Sequence, residues 1–153
     1  MNKSIEIIKK PRIQLAGLIQ KLTLEQLNEI PAGFNNNILW NLGHLIATQQ
    51  AICYKRAGLE MRINESIFLA YKGGTKPEKF IDADEVDEIS KLLISSIDQL
   101  EIDYQDKLFT NYTSWTTGSG VEINSIDDAL NFLPFHEGLH IGHIMAVSRI
   151  LMH

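Results

Sequence analysis

With a single cysteine, Cys53, this chain of 153 residues cannot form an internal disulfide. A lone thiol belongs with a reducing compartment, so the cytoplasm is the expected location. Long apolar runs are missing: no stretch approaches the roughly 20 residues a membrane helix needs. Nor does an apolar signal-peptide core follow the mildly basic start, Asn2-Lys3 and Lys9-Lys10-Pro11-Arg12. A membrane is therefore not an expected partner. Positive charge is also scarce, with 14 Lys and Arg against 19 Asp and Glu and a formal net charge of −5. The basic residues are scattered, which argues against a nucleic-acid partner, because affinity for phosphate rests on clustered Lys and Arg. No internal repeat or low-complexity segment is visible. What is present, 44% hydrophobic and 22% charged residues, is ordinary for one globular domain over residues 1–153.

The apolar spacing predicts helices. Ile5, Ile8, Leu15, Leu18, Ile19 and Leu22 recur by threes and fours except near Pro11, which must start or bend a helix that ends near Lys21. Thr23 followed by Gln26 has the form of a capping box, so Leu24 to Glu29 reads as a short helix stopped by Pro31-Ala32-Gly33. Asn35, Asn36 and Asn37 are candidate caps for a second long helix through Ile38, Leu39, Leu42, Leu45, Ile46, Ile52 and Tyr54, ending at Gly58. Residues 59–81 lack sustained periodicity and hold Lys72-Gly73-Gly74-Thr75-Lys76-Pro77, the marks of a lid-like loop. Those glycines do not match a phosphate-binding loop.

Asp82 with Glu85 caps a third long helix whose stripe is Val86, Ile89, Leu93, Ile97 and Leu100. Between Tyr104 and Asn124 a turn-rich segment centred on Thr116-Thr117-Gly118-Ser119-Gly120 suits a small hairpin or an ordered loop. Ser125 with Asp128 opens the last helix, which must meet Pro134 by a kink or a restart and runs to the C-terminus. Four long helices with two loops imply an all-α, four-helix-bundle fold. The stripes of the first and third helices suit core packing and a homodimer surface.

Three of the five histidines fall in His136-Glu137-Gly138-Leu139-His140-Ile141-Gly142-His143. On a helix these three rings form one stripe. His136 and His143 are separated by a rise of about 10 Å, so one ion can take His136 with His140 or His140 with His143, not all three. A third ligand must come from elsewhere, and His44 is the other internal histidine. Its helix face carries Asn37, Asn41, Thr48 and Ala51, small and polar enough to wall a cavity rather than pack a core. Three neutral imidazoles suit Zn²⁺, Ni²⁺, Fe²⁺ or Cu²⁺, and three protein ligands leave a position open for water or substrate. Isolated core or surface histidines are the plain alternative.

His136-Glu137-Gly138-Leu139-His140 also matches the zinc-peptidase motif His-Glu-x-x-His. The third histidine that motif needs is out of phase here, and few residues follow. Glu137 remains a candidate base or a partner of a ligand, against the alternative of a solvated helix position. Cys53 is about 180° around the helix from His44 and suits a small buried hydrophobe. Trp40 suits packing beside the site or in the core, Trp115 and Tyr112 a pocket mouth or ordinary packing, and the terminal His153 solvent.

Leu39-Trp40-Asn41-Leu42-Gly43-His44-Leu45 and His136-Glu137-Gly138-Leu139-His140-Ile141-Gly142-His143-Ile144 together resemble the DinB-like superfamily, as do Leu24-Glu25-Gln26-Leu27 before Pro31 and Ser125-Ile126-Asp127-Asp128. The resemblance spans nearly the whole chain. It implies a four-helix bundle with one divalent metal, Zn²⁺ or Ni²⁺ first, held by His44, His136 and His140. Members often carry Gln where this chain has His143, so the role of that Gln does not carry over. Characterised relatives include thiol-dependent transferases and a maleylpyruvate isomerase using low-molecular-weight thiols. The implied function is thus metal-dependent transfer of a low-molecular-weight thiol, or hydrolysis, on a small-molecule substrate. A non-catalytic bundle that binds a small ligand or serves dimerisation is the alternative.

Overall fold

The structure, a computed structural model, describes residues 1–152; His153 lies outside them. It is mostly helical. The helices are α1 (Lys3–Ile19), α2 (Leu24–Asn28), α3 (Ile38–Gln49), α4 (Glu65–Tyr71), α5 (Ala83–Gln105) and α6 (Ile126–Leu151). Strands β1 (Trp115–Thr116) and β2 (Glu122–Ile123) pair antiparallel, with Trp115 opposite Ile123.

Side chains placed to satisfy the first free backbone N–H groups start the helices. Asn2 accepts from the amides of Ser4 and Ile5, Asn37 from Trp40, Asp82 from Glu85 and Ser125 from Asp128. The Thr23 and Gln26 capping box is complete in both directions. Helix α1 passes through Pro11 without interruption. The proline removes the hydrogen bond to the carbonyl of Ile7, a residue that is exposed and so leaves that carbonyl near water. Helix α6 likewise runs through Pro134 as one helix, with no restart.

Two features depart from the sequence expectation. The second long helix changes pitch: after Gln49 it continues as a π-helical segment, Gln50–Lys55, a form that appears mostly as single turns, frequently at functional sites. Where a lid-like loop is expected, the chain forms α4, packed on α3 through Ile67, Phe68 and Tyr71. Its pattern is too short to register as periodicity.

Helix α1 packs on α5 and α6, and α3 packs on the same two helices from the other side. Leu15, Ile38, Leu42, Leu45, Ile89, Leu93, Ile144 and Val147 meet in one core cluster. Ile5, Ile8, Cys53, Tyr54, Ile97, Leu100, Leu130 and Leu133 form the other. No helix among the described residues is long and apolar enough to cross a membrane.

A buried ion pair crosses this core. Arg12 of α1 and Glu137 of α6 are 0% and 2% exposed. Arg12 Nε and Nη2 donate to the two carboxylate oxygens at 3.1 and 2.5 Å. The same guanidinium donates to Gln49 Oε1, the carbonyls of Leu45 and Leu93, and Ser96 Oγ. One side chain thus ties α1 to α3, α5 and α6, and its donors are matched as burial of a charge requires.

Candidate metal centre

Helix α3 brings His44 to face α6 at the level of His136 and His140. The ring centroids of His44 lie 5.2 Å from His136 and 4.7 Å from His140, and the latter two are 4.5 Å apart. One ring nitrogen from each lies within 4.8 Å of the other two. Nitrogens sharing a tetrahedral ion at about 2.0–2.1 Å sit roughly 3.4 Å apart, so modest side-chain rotation closes the set. Among the described residues this is the one group of three or more metal-capable side chains so disposed. His143 stands outside it.

The surroundings fix two of the three rings. His44 Nδ1 is 2.8 Å from the carbonyl oxygen of Tyr71. A carbonyl only accepts, so Nδ1 carries the proton and Nε2 presents its lone pair. Thr48 Oγ1 is 3.3 Å from that Nε2. His140 Nδ1 is 2.8 Å from Asn41 Oδ1, which leaves Nε2 of His140 free in the same way. His136 has a buried Nδ1 with no hydrogen-bond partner among the described residues. A buried polar atom without a partner is destabilising, and coordination through that atom would satisfy it.

Close approach of α4 makes the Tyr71 bond possible. A Cβ on Gly43 would stand 2.5 Å from Cδ1 and 2.7 Å from Cδ2 of Tyr71, so only glycine lets the ring lie against α3. The Tyr71 hydroxyl donates to Glu85 on α5 at 3.0 Å. On the other side Trp40 stacks on His44, with centroids 4.6 Å apart and planes 13° from parallel. Its Nε1 donates to Thr75, and Trp40 lines a cavity of about 180 Å³ with Tyr71, Thr75, Lys76 and Pro77.

The electrostatics suit a cation-binding set. Burial, reinforced by the neighbouring imidazoles, pushes His136 down to about 3 and His140 down to about 4. Burial also lowers His44, against the opposing effect of the Tyr71 carbonyl. All three are neutral at neutral pH, the form in which imidazole binds a metal. The three-imidazole donor set and the orphaned nitrogen fit a divalent ion.

Other residues singled out in the sequence lie elsewhere. Glu137 is not solvated; both its carboxylate oxygens are taken by Arg12. Cys53 is fully buried, and burial pushes its thiol pKa up. Tyr112 donates to the Ile52 carbonyl and accepts from Trp115 Nε1, while the Trp115 ring packs edge-on against Phe132. These are packing roles.

The sequence reading missed Arg12, Asn36 and Tyr71. For Arg12 a signal existed: it falls in the 3-4-3-4 progression Ile5, Ile8, Arg12, Leu15, Ile19, all buried. For Tyr71 there was none, because its contribution is a backbone carbonyl.

A family model described as the DinB superfamily matches residues 9–144. No curated protein matches the chain.

Proposed function

The chain belongs to the DinB superfamily, and on that footing we propose that it is a metalloprotein in which His44, His136 and His140 hold one divalent ion, Zn²⁺ or Ni²⁺ first, and that it transfers a thiol to, or hydrolyses, a small molecule. We read the helical frame as a four-helix bundle of α1, α3, α5 and α6, with the site between α3 and α6 as bundle metal sites are built. The observation that carries the reading is the convergence of three ring nitrogens within 4.8 Å, beside hydrogen bonds that fix the His44 and His140 rings through Nδ1.

A divalent ion at such a site supplies Lewis acidity, lowering the pKa of a thiol or a water. The chain's own residues orient the rings. The Tyr71 carbonyl and the Asn41 amide hold His44 and His140, and the Trp40 indole covers one face of His44. None of the hydrogen bonds to these three rings comes from a carboxylate, and Glu137 is engaged by Arg12. Glu137 therefore takes a positioning role rather than that of a general base. That favours a nucleophile activated by the ion itself, as in thiol transfer, over a peptidase using Glu137. The same lack of a free base keeps a second reading in play, a bundle that binds a small ligand without turning it over.

Metal analysis of protein purified without an affinity tag, beside His44→Ala and His140→Ala, tests the site. About one equivalent in the parent and loss in both variants is expected; sub-stoichiometric metal unchanged by either substitution refutes it. Incubating the metal-loaded protein with a panel of low-molecular-weight thiols and electrophiles separates the readings. Turnover abolished by chelator supports the enzyme, and saturable binding without turnover supports the binder.

A further inference from the structure

We propose that His143, Asn36 and Asn41 form a hydrogen-bond relay, its donors converging on Asn36 Oδ1, that positions His140, so that His143 is a positioning residue for the metal centre without being one of its ligands. The inference rests on the metal-site reading above and extends it to residues that touch no ion.

The direction of every bond in the relay follows from one backbone carbonyl. Asn41 Nδ2 is 2.8 Å from the carbonyl oxygen of Asn37. A carbonyl has no proton to give, so the side-chain amide of Asn41 must turn its NH₂ that way. The second hydrogen of that NH₂ meets Asn36 Oδ1 at 2.9 Å. Asn41 Oδ1 is left facing His140 Nδ1 at 2.8 Å, and it can only accept. His140 is therefore held with its proton on Nδ1 and its lone pair on Nε2. Asn36 Oδ1, already an acceptor, is also 3.1 Å from His143 Nε2, so His143 must donate there.

His140 donates to Asn41, Asn41 donates to Asn36, and His143 donates to the same Asn36 oxygen, with no ambiguous step. Asn37 anchors the relay: its Oδ1 caps α3 through the amide of Trp40, and its Nδ2 donates to the Asn28 carbonyl.

His143 is not among the three converging rings; its Nε2 donates to Asn36 and its ring packs edge-on against Phe34 at 5.3 Å between centroids. It belongs to the site nonetheless. Asn36 lies in the loop before α3 while His143 is on α6, so their bond clamps that loop to α6 one turn beyond His140. Without it, Asn36 Oδ1 and the loop lose their tie to α6, and the amide that sets the His140 ring loses its support. Outer partners of ligating histidines act through ring orientation and tautomer. The relay operates on both.

The experiment uses full-length metal-free protein, Co²⁺ as the probe, and His143→Phe, His143→Gln and Asn41→Leu. Imidazole ¹⁵N NMR reads the His140 tautomer, visible Co²⁺ absorption reads affinity and geometry, and urea unfolding of the metal-free form reads stability. His143→Phe keeps a ring of similar size but cannot donate; His143→Gln can. Asn41→Leu is expected to weaken Co²⁺ about 10-fold to 100-fold, and His143→Phe several-fold with an altered Co²⁺ spectrum and a mixed His140 tautomer. His143→Gln is expected to restore both at equal metal-free stability.

Parent-like Co²⁺ affinity in His143→Phe with His140 still protonated on Nδ1 overturns the relay alone. So does a His143→Gln variant as impaired as His143→Phe. A parent that takes up no Co²⁺ overturns the metal-site reading and the relay with it.

Discussion

Gly43→Ala tests whether α4 belongs to the metal centre. In an ordinary helix interior this change stabilises by up to about 1 kcal/mol, because alanine has less backbone freedom to lose. Here the added methyl would meet Tyr71 Cδ1 at 2.5 Å and Cδ2 at 2.7 Å, where ordinary contact begins at 3.4 Å. The ring must retreat by roughly 1 Å, and overpacking of that kind costs about 1–3 kcal/mol. The two effects partly cancel, so the net loss of stability is about 0–2 kcal/mol and the protein stays folded.

The proposed metal site has no such compensation. Tyr71 carries the carbonyl that holds the proton of His44 Nδ1 at 2.8 Å, and its hydroxyl, bonded to Glu85, prevents the ring from swinging aside. Displacing the residue lengthens that bond and frees the His44 ring, a loss worth about 10-fold to 100-fold in metal affinity. Co²⁺ titration of metal-free parent and variant, with urea unfolding of each, separates the two quantities. Gly17→Ala on α1, where a Cβ meets nothing within 4 Å, is the control and should leave affinity unchanged. A folded Gly43→Ala protein that binds Co²⁺ within about twofold of the parent would refute the claim that α4 orients His44.

Three further outcomes are expected. Arg12→Met leaves the Glu137 carboxylate buried without its partner and should destabilise by about 3–5 kcal/mol, whereas Arg12→Met with Glu137→Met should recover most of that loss; urea unfolding of both decides, and an equally unstable double variant counts against the pair as the cause. In metal-free protein the lowered pKa values of His136, about 3, and His140, about 4, mean that the unfolded chain takes up protons first. Their contribution to stability is complete above an unfolded value near 6.5 and is lost as pH falls towards 4 and then 3, on the order of a few kcal/mol after allowance for partial exposure; urea midpoints that do not fall between pH 7 and pH 5 would contradict this. Stripping a metal present at 100 times its dissociation constant removes about 2.7 kcal/mol, so chelator should lower the melting temperature by roughly 5–10 °C. His44→Ala protein should show no such response in the same thermal scan.

The helix frame was legible because its signals are local. A cap and a 3-4 stripe lie within one segment of chain, and Thr23 with Gln26, Asn37, Asp82 and Ser125 each begin a helix at the expected place. The histidine spacing on α6 is local for the same reason, though spacing alone left His136 with His140 and His140 with His143 both open until the family resemblance implied the first; His44 was reached from the polar character of its helix face. What could not be read is what depends on two distant segments meeting. Tyr71 acts through a carbonyl that every residue possesses, and α4 is seven residues of mixed character. The π-helical segment after Gln49 has no spacing signature of its own.

Arg12 and Glu137 are an intermediate case. Each interrupts a buried apolar progression at the position where an apolar residue is due, Arg12 between Ile8 and Leu15, and Glu137 between Leu133 and Ile144. One charge in a stripe is an anomaly; opposite charges in two stripes of facing helices are a pair.

That pair bears on why the site exists in a definite place. A buried ion pair is weak evidence for stability, since well-packed apolar residues often do as well, so its retention in this core calls for another explanation. Glu137 directly follows His136, and 100° of rotation of α6 about its axis would shift every side chain by one residue. Such a turn would also carry the apolar stripe of α6 off the core face, so packing sets the coarse rotation. The Arg12 guanidinium sharpens it, since only one setting of α6 presents both Glu137 oxygens to Nε and Nη2 while Gln49, Leu45, Leu93 and Ser96 hold the remaining donors. The same setting turns His136 and His140 towards His44. The ion pair thus helps to hold the rotation in which His136 and His140 face His44, and in the proposed centre Glu137 would act by fixing where its neighbour points.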